Sequence, residues 1–301
     1  MPALSAEETS ASYLASARRS TGRDLTATRR IKSVLGHVVY RTGAHRTAWR
    51  DRAVIALFHR VDDRYPDDPV TCSRARFTQF CDFFARHFIV VSLSELLDRL
   101  RSGGDISRHL AITFDDGYRD NFHFAAPELR KRGLPASFFV ATDFIGTTET
   151  TWWDARQGIR SEWMTWDEVR ALHAQGFEIG SHTSTHADCG RITGAEAVRE
   201  IAGSKATLEA ELGTRIRLFA YPFGDPDHMS EENITIVREA GFDCCLAAHG
   251  GIVTASDGLF RLRRVPINGW YRSPYQFGFE ALRMSGTSAT ASTRAHPAAS
   301  T

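Results

Sequence analysis

The sequence has no apolar run approaching the roughly 18 residues that a transmembrane helix needs. Its opening stretch, MPALSAEETSASYLASARRS, contains no unbroken apolar core of signal-peptide length. Both absences predict a cytoplasmic chain. Charge excess is missing too. The 37 Lys and Arg against 36 Asp and Glu leave a formal net charge of +1, which argues against a whole-surface nucleic-acid binder. Cysteine is scarce and unpatterned: Cys72, Cys81, Cys189, Cys244 and Cys245 are odd in number and show no Cys-x-x-Cys spacing. A disulfide framework and a cysteine-based zinc site are therefore not expected, and the thiols read as reduced and buried. What remains is an ordinary globular composition, 42% hydrophobic and 24% charged, in a chain of 301 residues that suits one large domain or two small ones.

The ends differ from the middle. Residues 1 to about 27 are rich in Ser, Thr, Ala and charge, and SGTSATASTRAHPAAST closes the chain in low-complexity sequence. Both read as tails, the second from residue 276. Residues 28–52, TRRIKSVLGHVVYRTGAHRTAWRDR, are basic with scattered apolar positions. Their few apolar residues favour a helix packed on the protein's own body; peripheral contact with a membrane surface or a partner is the alternative. From residue 53 the chain alternates. The runs AVIALF, HLAITF, PASFFVA, FEIGS, RLFAY, FDCCLAA and FRLRRVPI read as buried strands. Segments of helical period lie between them, with TWDE and TGAE as capping boxes and glycines at helix ends. This order predicts one α/β domain over 53–275 with a parallel sheet covered by helices, either as an incomplete barrel or as an open sheet.

In such folds chemistry gathers where strands end in loops. His59 follows AVIALF, Asp115 and Asp116 follow AITF, His182 and His186 follow FEIGS, and Pro222-Phe223-Gly224 follows RLFAY. Two carboxylates and three imidazoles thus reach one rim. Adjacent aspartates repel each other, and a divalent cation would offset that repulsion. Asp116, His182 and His186 form a three-ligand set that leaves a position open on zinc, with Asp115 free as a base. Each piece has a plainer reading, as a turn with a helix cap or a surface histidine. Their coincidence at corresponding strand ends favours the metal site.

TFDDGYRDN, SHTSTH and AYPFG resemble, in order, the first three motifs of the polysaccharide deacetylase family, the NodB-homology domain of carbohydrate esterase family 4. PELRKRGLPASFFVATDFIG and MTWDEVRALHAQGFEIGSHTSTH are similar to family text between motifs. The resemblance spans about residues 53–270. It implies a distorted (β/α) barrel of about seven parallel strands, with Asp115 as catalytic base and Asp116, His182 and His186 on the metal. Tyr221, Pro222 and Phe223 would line a wall of the substrate groove, and Arg264 is a further candidate substrate contact there. Where the family often has an arginine that orients the base, this sequence has Ala220; Arg263 or Arg264 could supply that charge from the last strand. The family's Asp-x-x-Asp-Trp and C-terminal Leu-x-His motifs are not evident. Branches resembling biofilm poly-N-acetylglucosamine deacetylases carry a histidine after the first strand, so His59 is the candidate general acid and His249 the runner-up.

The resemblance implies hydrolysis of N-acetyl groups on amino sugars, with zinc or another divalent ion as cofactor and an N-acetylated glycan as partner. The Phe223 N–H would serve the oxyanion, since proline has none to offer. Trp152 or Trp153 could stack on a sugar face, and Asp154 could touch a hydroxyl. Two other readings stand beside this one. The first is a hydrolase of the same scaffold acting on a small cyclic amide or ureide. The second is a catalytically inactive carbohydrate-binding protein.

Overall fold

The computed structural model describes residues 22–284 apart from residues 67 and 69, without the side chains of 22–25 and 249. Most of both expected tails therefore lies outside the described residues.

All seven apolar runs form strands: β1 (Arg52–Phe58), β2 (His109–Phe114), β3 (Ser137–Val140), β4 (Glu178–Ser181), β5 (Leu218–Ala220), β6 (Cys244–Gly250) and β7 (Leu262–Pro266). Each pairs in parallel with the next, and β7 pairs with β1, so the sheet closes into a barrel. Val253–Thr254 is antiparallel to the start of β1, and Ile89–Val90 is parallel to the start of β2. Closure buries both faces of every barrel strand, which is why the strands read as continuous apolar runs.

Successive side chains on a strand alternate between the inside and the outside of the barrel. Ala53, Ile55, Ala111, Phe139, Leu218, Ala220, Leu246 and Leu262 pack together in one cluster. The alternate positions Val54, Phe58, Phe114 and Phe138 belong to a larger cluster that includes helix residues. There Phe58 stacks on Phe114 (5.4 Å between centroids) and Phe114 on Phe138 (4.7 Å). Phe77 and Phe80, from helix α2 (Arg74–His87), meet Phe58 edge-on. The capping box at Thr165 and Glu168 is present. At the other expected box, Thr193 makes no side-chain cap, and the Gly194 N–H donates instead to Glu232 Oε1 at 3.1 Å.

The basic segment begins as helix α1 (Gly22–Arg41), which packs on α3 (Pro274–Leu282). Contact is so close that a Cβ on Gly36 would lie 2.0 Å from the Tyr275 carbonyl oxygen. Lys32 Nζ pairs with Glu280 Oε1 at 3.1 Å. One face of α1 therefore lies on the protein's own body, while Ile31, Val34, Leu35 and Val38 remain exposed. The boundary expected after residue 275 falls inside α3, where Phe277 and Ala281 are fully buried; the packed body continues to Met284. No helix among the described residues is long and apolar enough to cross a membrane.

Candidate metal and catalytic site

The register of β1 against β2 pairs Phe58 with Phe114. It sets His59 and Asp115 side by side, one residue beyond the strand ends, with the Asp115 N–H donating to the Phe58 carbonyl at 3.0 Å. Here the backbone leaves ordinary conformations. Asp116 (φ 74°), Thr183 (φ 64°), His186 (φ 60°) and Phe223 (φ 61°) are four of the six non-glycine residues with positive φ among the described residues. Each such residue costs on the order of 1–3 kcal/mol, a strain held where side chains must be aimed at one point.

That point lies between Asp116, His182 and His186. Asp116 Oδ1 is 3.4 Å from His182 Nε2 and 3.3 Å from His186 Nε2. One ligand atom from each residue lies within 4.8 Å of the others. The His182 Nδ1–H donates to the Ala220 carbonyl at 2.8 Å; a carbonyl only accepts, so the proton sits on Nδ1 and the Nε2 lone pair is free. Among the described residues Asp116 Oδ1 is buried without a hydrogen-bond partner, since both imidazole contacts are longer than a normal N–H···O bond. An orphaned carboxylate oxygen facing two imidazole nitrogens fits a divalent cation of zinc type. Burial opposes the charge on Asp116, yet His182, His186 and His59 hold its carboxyl well below the usual range. Burial lowers His186. It opposes charge on His182 too, but Asp115 and Asp116 outweigh it and raise that ring.

Asp115 is held differently. Arg264 grips both its oxygens, Nη1 to Oδ1 at 2.7 Å and Nη2 to Oδ2 at 2.6 Å. Arg264 is fully buried; its Nε donates to the Ala247 carbonyl at 2.7 Å and its Nη1 to Thr113 Oγ1 at 3.3 Å. The register of β7 against β6 shifts between Leu262 and Arg264. Such an irregularity re-aims a side chain. The small Ala220 packs with Phe139, and the Arg264 guanidinium lies 5.7 Å over that ring. The charge absent at position 220 thus arrives from β7. Of the two expected arginines, Arg264 reaches the aspartate, while Arg263 pairs with Asp257. Being buried, Arg264 touches Asp115 and presents no surface to a substrate, which corrects its expected place in the groove. Burial would raise the Asp115 carboxyl, but Arg264, His182 and His59 keep it below its ordinary value.

His59 is half-buried after β1; its carbonyl accepts from Asn121 Nδ2 at 2.8 Å. The side chain of His249 lies outside the described residues. Pro222 is buried and Phe223 half-exposed, its ring 4.8 Å from that of His186. Among the described residues the Phe223 N–H has no hydrogen-bond partner. Gly224 (φ 66°) is required beside it, because a Cβ there would fall 2.2 Å from the Ala248 nitrogen. Tyr221 departs from expectation. Its side chain is fully buried and its hydroxyl donates to Cys245 Sγ at 3.4 Å, so only its backbone is available to a groove.

Trp153 packs its ring 4.7 Å from His186 and donates from Nε1 to the Tyr118 hydroxyl at 2.9 Å. Trp152 is more exposed, at 37%. Asp154 is also corrected: it is buried, both its carboxylate oxygens accept from Arg60 Nη2 at 2.6 and 2.7 Å, and it accepts from Tyr118 and Ser161. It anchors the wall and cannot meet a sugar hydroxyl. Tyr118 and Arg60 are the residues that sequence reasoning passed over. Tyr118 lies within the first motif, but the Arg60–Asp154 pair joins positions 94 apart with no local signal.

Residues 103–245 match the family model described as polysaccharide deacetylase. YxkH of Bacillus subtilis (strain 168), provisionally named a polysaccharide deacetylase, is 26% identical over 157 residues, covering 52% of this chain and 50% of that protein. The chain thus spans about half the length of this curated relative. Among solved structures, the Streptococcus pyogenes deacetylase PplD in complex with acetate is similar at a TM-score of 0.64 and 20% identity, over 77% of this chain and 98% of that one. A de-N-acetylase from Aggregatibacter actinomycetemcomitans is similar at 0.63 and 19%, over 76% and 100%. Both share the barrel fold. All three motifs lie inside the matched stretch, whereas His59 and Arg264, which bear on the family departures, lie outside it. Over residues 103–245 the chain thus matches the polysaccharide deacetylase family model, and its barrel is the fold of the deacetylase structures it is similar to.

Proposed function

We propose that the protein is a metal-dependent hydrolase that removes N-acetyl groups from amino sugars of the N-acetylglucosamine type, in a polysaccharide or oligosaccharide. The observation that carries this reading is the division of labour between neighbouring carboxylates. Asp116 faces two imidazoles, while Asp115 lies in the fork of Arg264 with its Oδ2 3.8 Å from His182 Nε2. Asp116, His182 and His186 would hold a divalent cation, zinc by its N2O donor set, which when bound supplies Lewis-acid polarisation of the acetyl carbonyl and acidifies water. Asp115 takes the proton from the attacking water, kept ionised and oriented by Arg264. The Phe223 N–H serves the negative charge that develops on the carbonyl oxygen. His59 hands a proton to the departing amine as the C–N bond breaks, leaving acetate and a free amino sugar. Trp153 and Phe223 offer ring surface to the apolar C–H face of a sugar. The names of two neighbours sharing this fold, a deacetylase in complex with acetate and a de-N-acetylase, support a deacetylating hydrolase.

The rival on a cyclic amide or ureide gained weight from the missing arginine, and Arg264 now takes that place. A purely binding protein would have no use for a second, locked carboxylate. The test is release of acetate from N-acetylglucosamine oligomers and of ammonia from small cyclic amides. Acetate released by the wild type and lost in Asp115→Asn supports the proposal; ammonia release without acetate would replace it with the rival reading.

A further inference from the structure

A cavity of about 380 Å³ lies at the opposite end of the barrel from the catalytic rim. Its walls include Arg41, His45, Arg46, Arg86, His87 and Arg108. Arg108 immediately precedes β2, His45 and Arg46 lie in the turn before β1, and Arg86 and His87 end α2. These are strand entrances, whereas Asp115, Asp116, His182 and His186 follow strand exits.

Among the described residues no carboxylate lines this cavity. Among the described residues none of its four guanidinium groups has an ion-pair partner, although Arg60, Arg64, Arg132 and Arg264 elsewhere are each paired. His45 is only 4% exposed, and among the described residues its Nδ1 has no hydrogen-bond partner. His87 Nε2 is likewise buried and unpartnered. The two rings meet edge-on at 5.1 Å. His45 also stacks at 4.4 Å on Tyr40, whose hydroxyl is fixed by Trp49 Nε1 at 2.8 Å, so its direction is set. Arg108 adopts φ 59°, retained by its N–H bonds to the Trp49 and Arg52 carbonyls. Burial, then the positive groups His45, Arg86, Arg108 and Arg46, push His87 down to about 4. Like charges brought together around buried, unsatisfied polar atoms destabilise a fold unless an anion joins them.

We propose that this cavity binds a phosphate group. Four guanidinium forks exceed what a single carboxylate can satisfy, and they match the several acceptor oxygens and greater charge of phosphate. Two sources share that chemistry: a soluble phosphate and the headgroup of an anionic lipid. The second source is included because Arg41 ends α1, whose outward Ile31, Val34, Leu35 and Val38 are 45–63% exposed at positions i, i+3, i+4 and i+7.

The test measures binding of inorganic phosphate by calorimetry, and co-sedimentation with phosphatidylglycerol vesicles against phosphatidylcholine vesicles. Three proteins are compared: the full-length wild type, Arg46→Gln/Arg86→Gln, and the control Arg160→Gln/Arg199→Gln. All four substituted arginines are exposed, so folding is not at stake, and the two variants have equal net charge. The expected result is binding to phosphate, or to phosphatidylglycerol but not phosphatidylcholine vesicles, weakened at least tenfold in the first variant and kept in the control. Phosphate binding identifies a soluble source; vesicle binding alone identifies a lipid. No binding to either probe overturns the proposal, as does binding that both variants retain or lose equally. Acetate release should be unchanged in Arg46→Gln/Arg86→Gln, which separates failure here from failure of the deacetylase reading.

Discussion

Asp115 and Asp116 are neighbours in sequence with opposite surroundings, and that contrast can be probed one residue at a time. Asp115 is buried with both oxygens in charge-assisted bonds to a fully buried arginine. Asp115→Asn should lower turnover by about a thousandfold or more, as expected when an acid–base group is lost, without lowering metal content. Arg264→Lys keeps the charge but cannot reproduce the fork. Misaiming the base should cost about a hundredfold in activity, with bound metal retained. Arg264→Met should also destabilise the fold, by roughly 3–5 kcal/mol, by leaving a buried carboxylate alone; denaturant unfolding at neutral pH reads this directly. Equal stability of Arg264→Met and wild type would contradict the buried pair. At this scale the sequence was informative where motif and strand end coincide, as at Asp116, His182 and His186. It left Arg264 as one of two candidates because the deciding contact spans 149 positions. It misplaced Tyr221 and Asp154, whose polar groups are satisfied by Cys245 and Arg60, contacts that local pattern does not encode.

At the scale of elements, the seven strands were legible because both faces of each are buried, so each reads as an unbroken apolar run. Closure of the barrel was legible only through the family resemblance. It depends on β7 pairing with β1 across most of the chain, and apolar runs alone suit an open sheet equally well. The α1–α3 contact was half legible. The sequence marked a basic helix, but its close approach rests on Gly36 meeting the Tyr275 carbonyl and Gly278 meeting the Tyr40 ring. Gly36→Leu should therefore undock α1. Amide hydrogen exchange in residues 26–41 should rise by orders of magnitude, with loss of stability of a few kcal/mol, as overpacked sites show. Residues that hold the metal should be undisturbed, so metal content should not change. Exchange in α1 indistinguishable from wild type would show that the helix is held by something other than this interface.

Across the whole molecule, stability should carry a pH signature from Asp120, four residues beyond the metal-facing aspartate. Burial raises its carboxyl to about 6 from the ordinary 3.8, only partly opposed by the Val61 N–H it accepts. The folded state then holds this proton more tightly than the unfolded chain. The stability it contributes is complete below about 3.8 and is lost as pH rises through about 6. The loss amounts to at most about 3 kcal/mol. Asp120→Asn keeps the acceptor oxygen without the charge, so its unfolding free energy should fall less than that of the wild type between those two values. Parallel curves would remove Asp120 from the account.

The most direct measurement is metal content per chain, by elemental analysis after dialysis, in the wild type, His182→Ala, His186→Ala and Asp115→Asn. The expected result is close to one divalent ion in the wild type and in Asp115→Asn, and almost none in either histidine variant. Undiminished metal in both histidine variants would contradict the ligand set of Asp116, His182 and His186, and with it the hydrolytic mechanism.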